Sequence, residues 1–258
     1  MNAADAASIV VWLAFAIGLA FGAIASWTRF CTMGAIADIA NFGDWVRMRM
    51  WLLAIALAIL GTTVLHETGL IDVDKSIYRG RSLTWLSHLV GGLCFGFGMV
   101  LASGCGARTL VRIGAGSIKA LIVFIVLALV AYMSMRGVLA VFRIEVLEGV
   151  ALHLPEGPGL PELIASLGLT PSPEPALCAA LLGGGLLAVV LLHRPRLAAA
   201  QALGGAAVGA LVVAGWYVSG HLGHLAEDPE TLQEAYLATN TGRMESLTFV
   251  APQAYTLE

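Results

Sequence analysis

The feature that most constrains this chain is a series of long apolar runs separated by short polar stretches. A helix rises ~1.5 Å per residue, so about 17–25 apolar residues in succession cross the hydrocarbon core of a bilayer. Six runs have that character: Ile9–Trp27, Met50–Leu65 (the shortest), Trp85–Ala102, Ile118–Phe142, Ala176–Leu192 and Leu197–Val218. Composition agrees, with 59% hydrophobic and 12% charged residues, where soluble domains carry roughly 45–50% and about 25%. The fold expected is all-α: a polytopic transmembrane helical bundle forming a single membrane domain over residues 1–258. Met1–Ser8 lacks the Lys and Arg of a signal-peptide leader, so the first run reads as a retained span. No basic patch exists to neutralise the phosphates of a nucleic acid.

Orientation follows from the basic residues. With the N-terminus outside, the inner loops hold Arg29, Arg47, Arg49, Arg108, Arg112, Lys119, Arg194 and Arg196. The outer loops then hold Lys75, Arg79, Arg81, Arg143 and Arg243, and the count favours that orientation. Between the fourth and fifth spans, residues 143–175 contain six of the nine prolines and five glutamates, which reads as an outer loop. The last helices, about 176–218, lead into an outer tail over 219–258, in which Ala226–Tyr236 is acidic and is expected to be helical after Asp228-Pro229.

An internal repeat ends in cysteine. Gly18-Leu19-Ala20-Phe21-Gly22 is followed after eight residues by Cys31, and Gly92-Leu93-Cys94-Phe95-Gly96 after eight residues by Cys105. The two copies occupy about 9–50 and 84–118, and each cysteine falls near the inner end of its run. A segment too short to span follows each one, giving the expectation of short re-entrant or discontinuous helices after Cys31 and Cys105. Glycines flank Cys105 and permit a sharp break. Helix starts at membrane depth carry about half a positive charge and attract anions, a design found in transporters. A thiol there can donate a weak hydrogen bond to a ligand without gripping it. The alternative is that both cysteines are packing residues beside glycine bends.

Other candidates have plainer readings. Cys94 and Cys178 lie mid-helix, where a thiol packs as a small apolar group. The G-x-x-x-G pairs Gly18/Gly22, Gly92/Gly96 and Gly205/Gly209 point to close helix packing. Asp38 is expected at the inner interface beside Arg47 and Arg49, and the six histidines sit near helix ends. There is no metal-ligand spacing, no cofactor motif, no disulfide framework and no nucleophile–base arrangement, so the chain reads as a non-enzyme with no cofactor.

The stretch Arg29-Phe30-Cys31-Thr32-Met33-Gly34-Ala35-Ile36-Ala37-Asp38, continuing through Asn41-Phe42-Gly43-Asp44-Trp45 to Arg47-Met48-Arg49-Met50-Trp51, resembles the YeeE/YedE family. So does Gly96-Phe97-Gly98-Met99-Val100-Leu101-Ala102-Ser103-Gly104-Cys105. That family comprises sulfur-transport membrane proteins, including bacterial thiosulfate uptake proteins, and the resemblance implies the cell inner membrane. It implies that Cys31 and Cys105 touch a small sulfur anion, thiosulfate, in passing, that Gly104 and Gly106 shape the bend, and that Thr32 presents a helix-start N–H. It further implies a TusA-like soluble sulfur carrier on the cytoplasmic side. Family members usually continue into a further half with another Gly-Cys element. Here the expectation is a truncated frame, a second half polypeptide, or a homo-oligomer. Transport of a selenium compound or another small sulfur species is the alternative function, and a non-conducting membrane anchor for a soluble sulfur carrier is the alternative from another class.

Overall fold

The computed structural model describes residues 3–79, 82–153, 159, 161–162, 164, 174–193, 197–227 and 232–257. Six helical stretches in it are long and apolar enough to cross a membrane, matching the six runs of the sequence. The chain is a multi-pass membrane protein built as a helical bundle.

Helix α1 (Ala3–Thr28) leads through a bend into the short α2 (Thr32–Phe42), and Gly43 in the left-handed region (φ 65°) turns the chain into α3 (Val46–Glu67). A two-residue strand β1 (Ser82–Leu83) precedes α4 (Trp85–Leu101), which bends into the short α5 (Gly106–Gly114). Next come α6 (Ile118–Arg136) and α7 (Val138–Phe142), the latter continuing as a π turn over Arg143–Leu147. The run Ile118–Phe142 was expected to be one helix. It breaks at Gly137, which has extended backbone, and a Cβ there would lie 2.8 Å from Met133 Cα. Strand β2 (Leu152–His153) pairs antiparallel with β1, tying the segment after α7 to the start of α4. Within the outer loop expected over 143–175, most of residues 154–173 lie outside the described residues. Helices α8 (Pro175–Leu192) and α9 (Ala199–Tyr217) close the bundle, with Arg194 and Arg196 outside the described residues.

Helix α3 is the centre, packed against α2, α8 and α9. Glycine sets how closely: Cβ atoms on Gly205 and Gly209 of α9 would lie 2.6 Å from the Met50 carbonyl and 2.8 Å from the Ala54 carbonyl of α3. Close backbone approach between small residues is how helices gain dispersion contacts in lipid, where no hydrophobic effect separates protein from solvent. The same motif does something else in the other two places. Gly18, Gly22, Gly92 and Gly96 have no neighbouring atom within 4 Å of a Cβ position, so those pairs pack against nothing in the described chain. Helix α4 buries none of its residues. Cys94 on it is exposed, against the packing role expected, and Cys178 on α8 is half-buried.

The tail differs most from expectation. Strands β3 (His224–Leu225) and β4 (Ala235–Tyr236) pair antiparallel where a helix was expected, although Asp228-Pro229 itself lies outside the described residues. Beyond them the chain does not hang free. Met244 is wholly buried against Gly220 and bridges Ser76, and Ser246 Oγ donates to the Val212 carbonyl of α9 at 2.8 Å. Phe249 then packs on Phe21 of α1 with the rings tilted and 4.6 Å between centroids, and α10 (Ala251–Tyr255) lies on α6. The apolar tail sequence Leu247–Ala254 explains this, because Phe249, Val250 and Ala254 gain more by joining the core than by facing water.

Candidate functional site

The two repeat copies share backbone geometry as well as sequence. In each, the residue two before the cysteine is a non-glycine in the left-handed region: Arg29 at φ 56° and Ser103 at φ 57°. Each cysteine then takes extended backbone and serves as the N-cap of its short helix, Cys31 for α2 and Cys105 for α5. The bend before Cys105 is therefore made at Ser103. Gly104 and Gly106 have no positive φ, and a Cβ on either would meet only ordinary contacts of 3.4 Å or more. A left-handed conformation costs an L-residue about 1–2 kcal/mol, and such local strain persists where surrounding structure over-determines it.

The bends bring the sulfurs together. The Cys31 thiol, 1% exposed, and the half-buried Cys105 thiol lie within hydrogen-bonding reach of each other. Neither closes a capping bond on its own helix with good geometry. Each nonetheless has backbone N–H groups of both short helices beside it. Those near Cys31 belong to Gly34 and Cys105, and those near Cys105 belong to Arg108 and Thr32. Two helix starts thus converge on one pair of sulfurs, and the reciprocity follows the repeat. This is where the positive ends of two macrodipoles coincide.

Arginines add to the field. The Arg108 side chain folds back along Gly104, its Cβ, Cγ and Cδ within 3.4–3.6 Å of the Cβ position, and its charge acts on Cys31. None of the ion pairs among the described residues involves Arg108. Arg47 is different. It makes a two-pronged pair with Asp38, Nε to Oδ2 at 2.5 Å and Nη2 to Oδ1 at 2.7 Å, while its Nη1 fills the space a Cβ on Gly34 would need. Asp38 thus sits with Arg47, as the sequence suggested, and locks α2 onto α3. Arg49 is buried, with Nη1 reaching the His193 carbonyl at 3.4 Å.

Several neighbours were not singled out in the sequence. Phe30, one residue before Cys31, stacks on Trp51 at 4.5 Å and meets Phe21 edge-on at 6.5 Å, so an aromatic series Trp51–Phe30–Phe21–Phe249 backs the sulfur pair. The hydrophobic residue preceding an N-cap cysteine was a visible signal, since such residues fix how the chain enters a helix. The Phe249 carbonyl lies 3.6 Å from the Cβ position of Gly106, which brings the tail to the start of α5. A cavity of about 930 Å³ lies between α1, α5, α9 and the tail, lined among others by Gly18, Gly22, Ala107, Val111, Glu245 and Phe249. Gly18 and Gly22 keep that space open, and Ala107 brings it to within two residues of Cys105. Among the described residues no group of three or more His, Cys, Asp or Glu is placed to hold a metal ion.

Residues 27–258 match the model of a protein family described as sulphur transport. The chain belongs to that family. The matched range opens just ahead of Arg29, so it contains both bends and both cysteines. Among curated family relatives, the thiosulfate transporter TsuA of Spirochaeta thermophila is 27% identical over 128 residues, which is 50% of this chain and 37% of that protein. The thiosulfate transporter TsuA of Escherichia coli is 32% identical over 122 residues, 47% of this chain and 32% of that protein. The matched segments thus span about a third of these relatives' length.

Proposed function

We propose that this chain forms part of a path along which a small sulfur-containing anion, thiosulfate, crosses the bacterial inner membrane, with the N-terminus outside. The observation that carries the reading is the pair of thiols held between two converging helix starts, one from each repeat copy. The anion would be drawn there by the N–H groups of Thr32 and Gly34 on one helix and of Cys105 and Arg108 on the other, with Arg108 supplying full charge. Gly104 lies against the Arg108 stem and Gly106 against the Phe249 carbonyl, flanking Cys105 without side chains of their own. Thiols are weak donors and suit a polarisable sulfur better than they suit a hard oxyanion. Weak contacts matter because conduction needs an ion to leave as readily as it arrives. No bond to the ion need form or break, so no catalysis is involved.

The names of the two TsuA relatives support thiosulfate over a selenium compound or sulfite. A TusA-like soluble carrier receiving the anion on the cytoplasmic side, and a second polypeptide or further copy completing the path, belong to the same proposal. The test is uptake of radiolabelled thiosulfate into proteoliposomes made with this chain, or with this chain and its completing partner. Cys105→Ala is expected to abolish uptake while the protein still inserts. Unchanged uptake in that variant refutes the thiol role, and partner recruitment without any uptake in the unmodified protein favours a non-conducting anchor.

A further inference from the structure

Two thiols in contact at the junction of two separately held helices can do more than touch a passing ion. Helix α2 is fixed to α3 by the Asp38–Arg47 pair. Helix α5 packs on α6 and α1, and the bend before it is braced from within by Thr109 Oγ1 donating to the Cys105 carbonyl at 3.1 Å and Arg112 Nη1 reaching the Ser103 carbonyl at 3.5 Å. The two cysteines are therefore presented to each other by anchored backbone, and bonding them requires the sulfurs to approach to about 2.05 Å. No other thiols compete. Cys94 is exposed on α4 and Cys178 is half-buried on α8, and neither is placed beside the pair.

We propose that Cys31 and Cys105 form a reversible intramolecular disulfide that pins the start of α2 to the start of α5. The oxidant is a peroxide. One cysteine, as the thiolate, attacks a peroxide oxygen and becomes a sulfenic acid, and the displaced hydroxide leaves as water after taking up a proton. The second sulfur then attacks the sulfenic sulfur, forming the S–S bond and releasing a second water. In total two thiols and one hydrogen peroxide give one disulfide and two waters, the protein losing two hydrogens and two electrons. A dithiol reverses the step by exchange, taking the disulfide's place as the oxidised species. The N–H groups that face both sulfurs stabilise negative charge on whichever attacks first. Pinned sulfurs cannot rotate toward an ion, so the disulfide closes the junction, and this last consequence rests on the thiosulfate reading.

The experiment treats the full chain in proteoliposomes with hydrogen peroxide, then alkylates, digests and maps it by mass spectrometry. The Cys94→Ser/Cys178→Ser variant is treated in parallel to remove the other thiols. The expected result is a linked peptide pair joining Cys31 to Cys105, a fall from four alkylatable thiols to two, slower amide exchange at the starts of α2 and α5, and full reversal by dithiothreitol. Uptake of thiosulfate is expected to stop with the link and to return with reduction. Four alkylatable thiols after oxidation, sulfinic acid in place of the link, or links only between chains would each overturn the inference. Linked protein that transports as before overturns the closure. Reduced protein that carries no thiosulfate counts against the transport reading, while the mapped peptides and amide exchange still decide the disulfide.

Discussion

Three identical G-x-x-x-G motifs in one chain allow a controlled test of close helix packing. In Gly205→Ala the new Cβ would sit 2.6 Å from the Met50 carbonyl oxygen, with Met50 Cγ and Leu53 Cβ at 3.3 and 3.4 Å. The opposing atom is backbone in the second turn of α3 and cannot turn aside. Bringing that contact to ordinary van der Waals distance requires α9 to withdraw from α3 by about 0.8 Å, which also loosens contacts along the neighbouring turns. Overpacking of this kind costs about 1–3 kcal/mol, offset by about 1 kcal/mol from the better helix propensity of alanine. A net loss of up to about 2 kcal/mol is expected. In Gly92→Ala the Cβ meets nothing within 4 Å, so the propensity term acts alone and stability should hold or rise. The assay is equilibrium unfolding of both variants in the same mixed micelles, followed by circular dichroism. A Gly92→Ala loss equal to that of Gly205→Ala would refute the reasoning, since each is the first glycine of a G-x-x-x-G pair and the two differ in what a Cβ would meet.

Other variants probe the site's frame. Asp38→Asn leaves the Arg47 guanidinium without its two-pronged partner, and because the pair is part-exposed (32% and 14%) the loss should be about 1–2 kcal/mol, read as a lower unfolding midpoint. Ser103→Gly removes the left-handed penalty and should stabilise the chain by up to about 1 kcal/mol, whereas Ser103→Val should destabilise it by at least as much. Burial pushes the Glu245 carboxyl above its ordinary 4.5, only partly opposed by the Asn240 N–H donating to it at 3.2 Å. Stability from its neutral form is present below 4.5 and fades as pH rises through the higher folded value. The protection factors of the tail amides, with the intrinsic pH dependence of exchange divided out, should therefore fall as pH increases. Tyr78, whose phenol is raised first by burial and then by the Glu245 charge, faces the same group. Glu245→Gln should flatten that dependence, and amide exchange measured from pH 4 to 7 would expose a failure.

Much of the fold was legible because bilayer spans announce themselves by length and apolarity alone. All six runs became helices, and the errors fell at ends where charge is neutralised in space. Helix α3 begins at Val46, four residues ahead of Met50, because Arg47 finds Asp38 and Arg49 finds the His193 carbonyl. Ile118–Phe142 was read as continuous, since a single glycine in an apolar helix carries no mark of the break its neighbours impose. The repeat marked both cysteines, yet contact between them was not deducible, because a bend's direction is set by φ at Arg29 and Ser103, neither of them a glycine. The glycines beside Cys105 drew attention instead. Where the end of the tail packs was not legible either: Leu247–Ala254 is apolar but too short to span, and only its contacts with α1, α6 and α9 show where it goes.

The convergence of two helix starts on one sulfur pair has an electrical consequence. A single helix start makes a slope, lower at one end, along which an anion is pulled in one sense. Here two starts, one from each of two like-oriented repeat copies, reach the same pair of sulfurs, so their partial charges add at one place. Under the proposed function, an anion is then held most strongly at Cys31 and Cys105, and the step that removes it from them governs how fast it crosses.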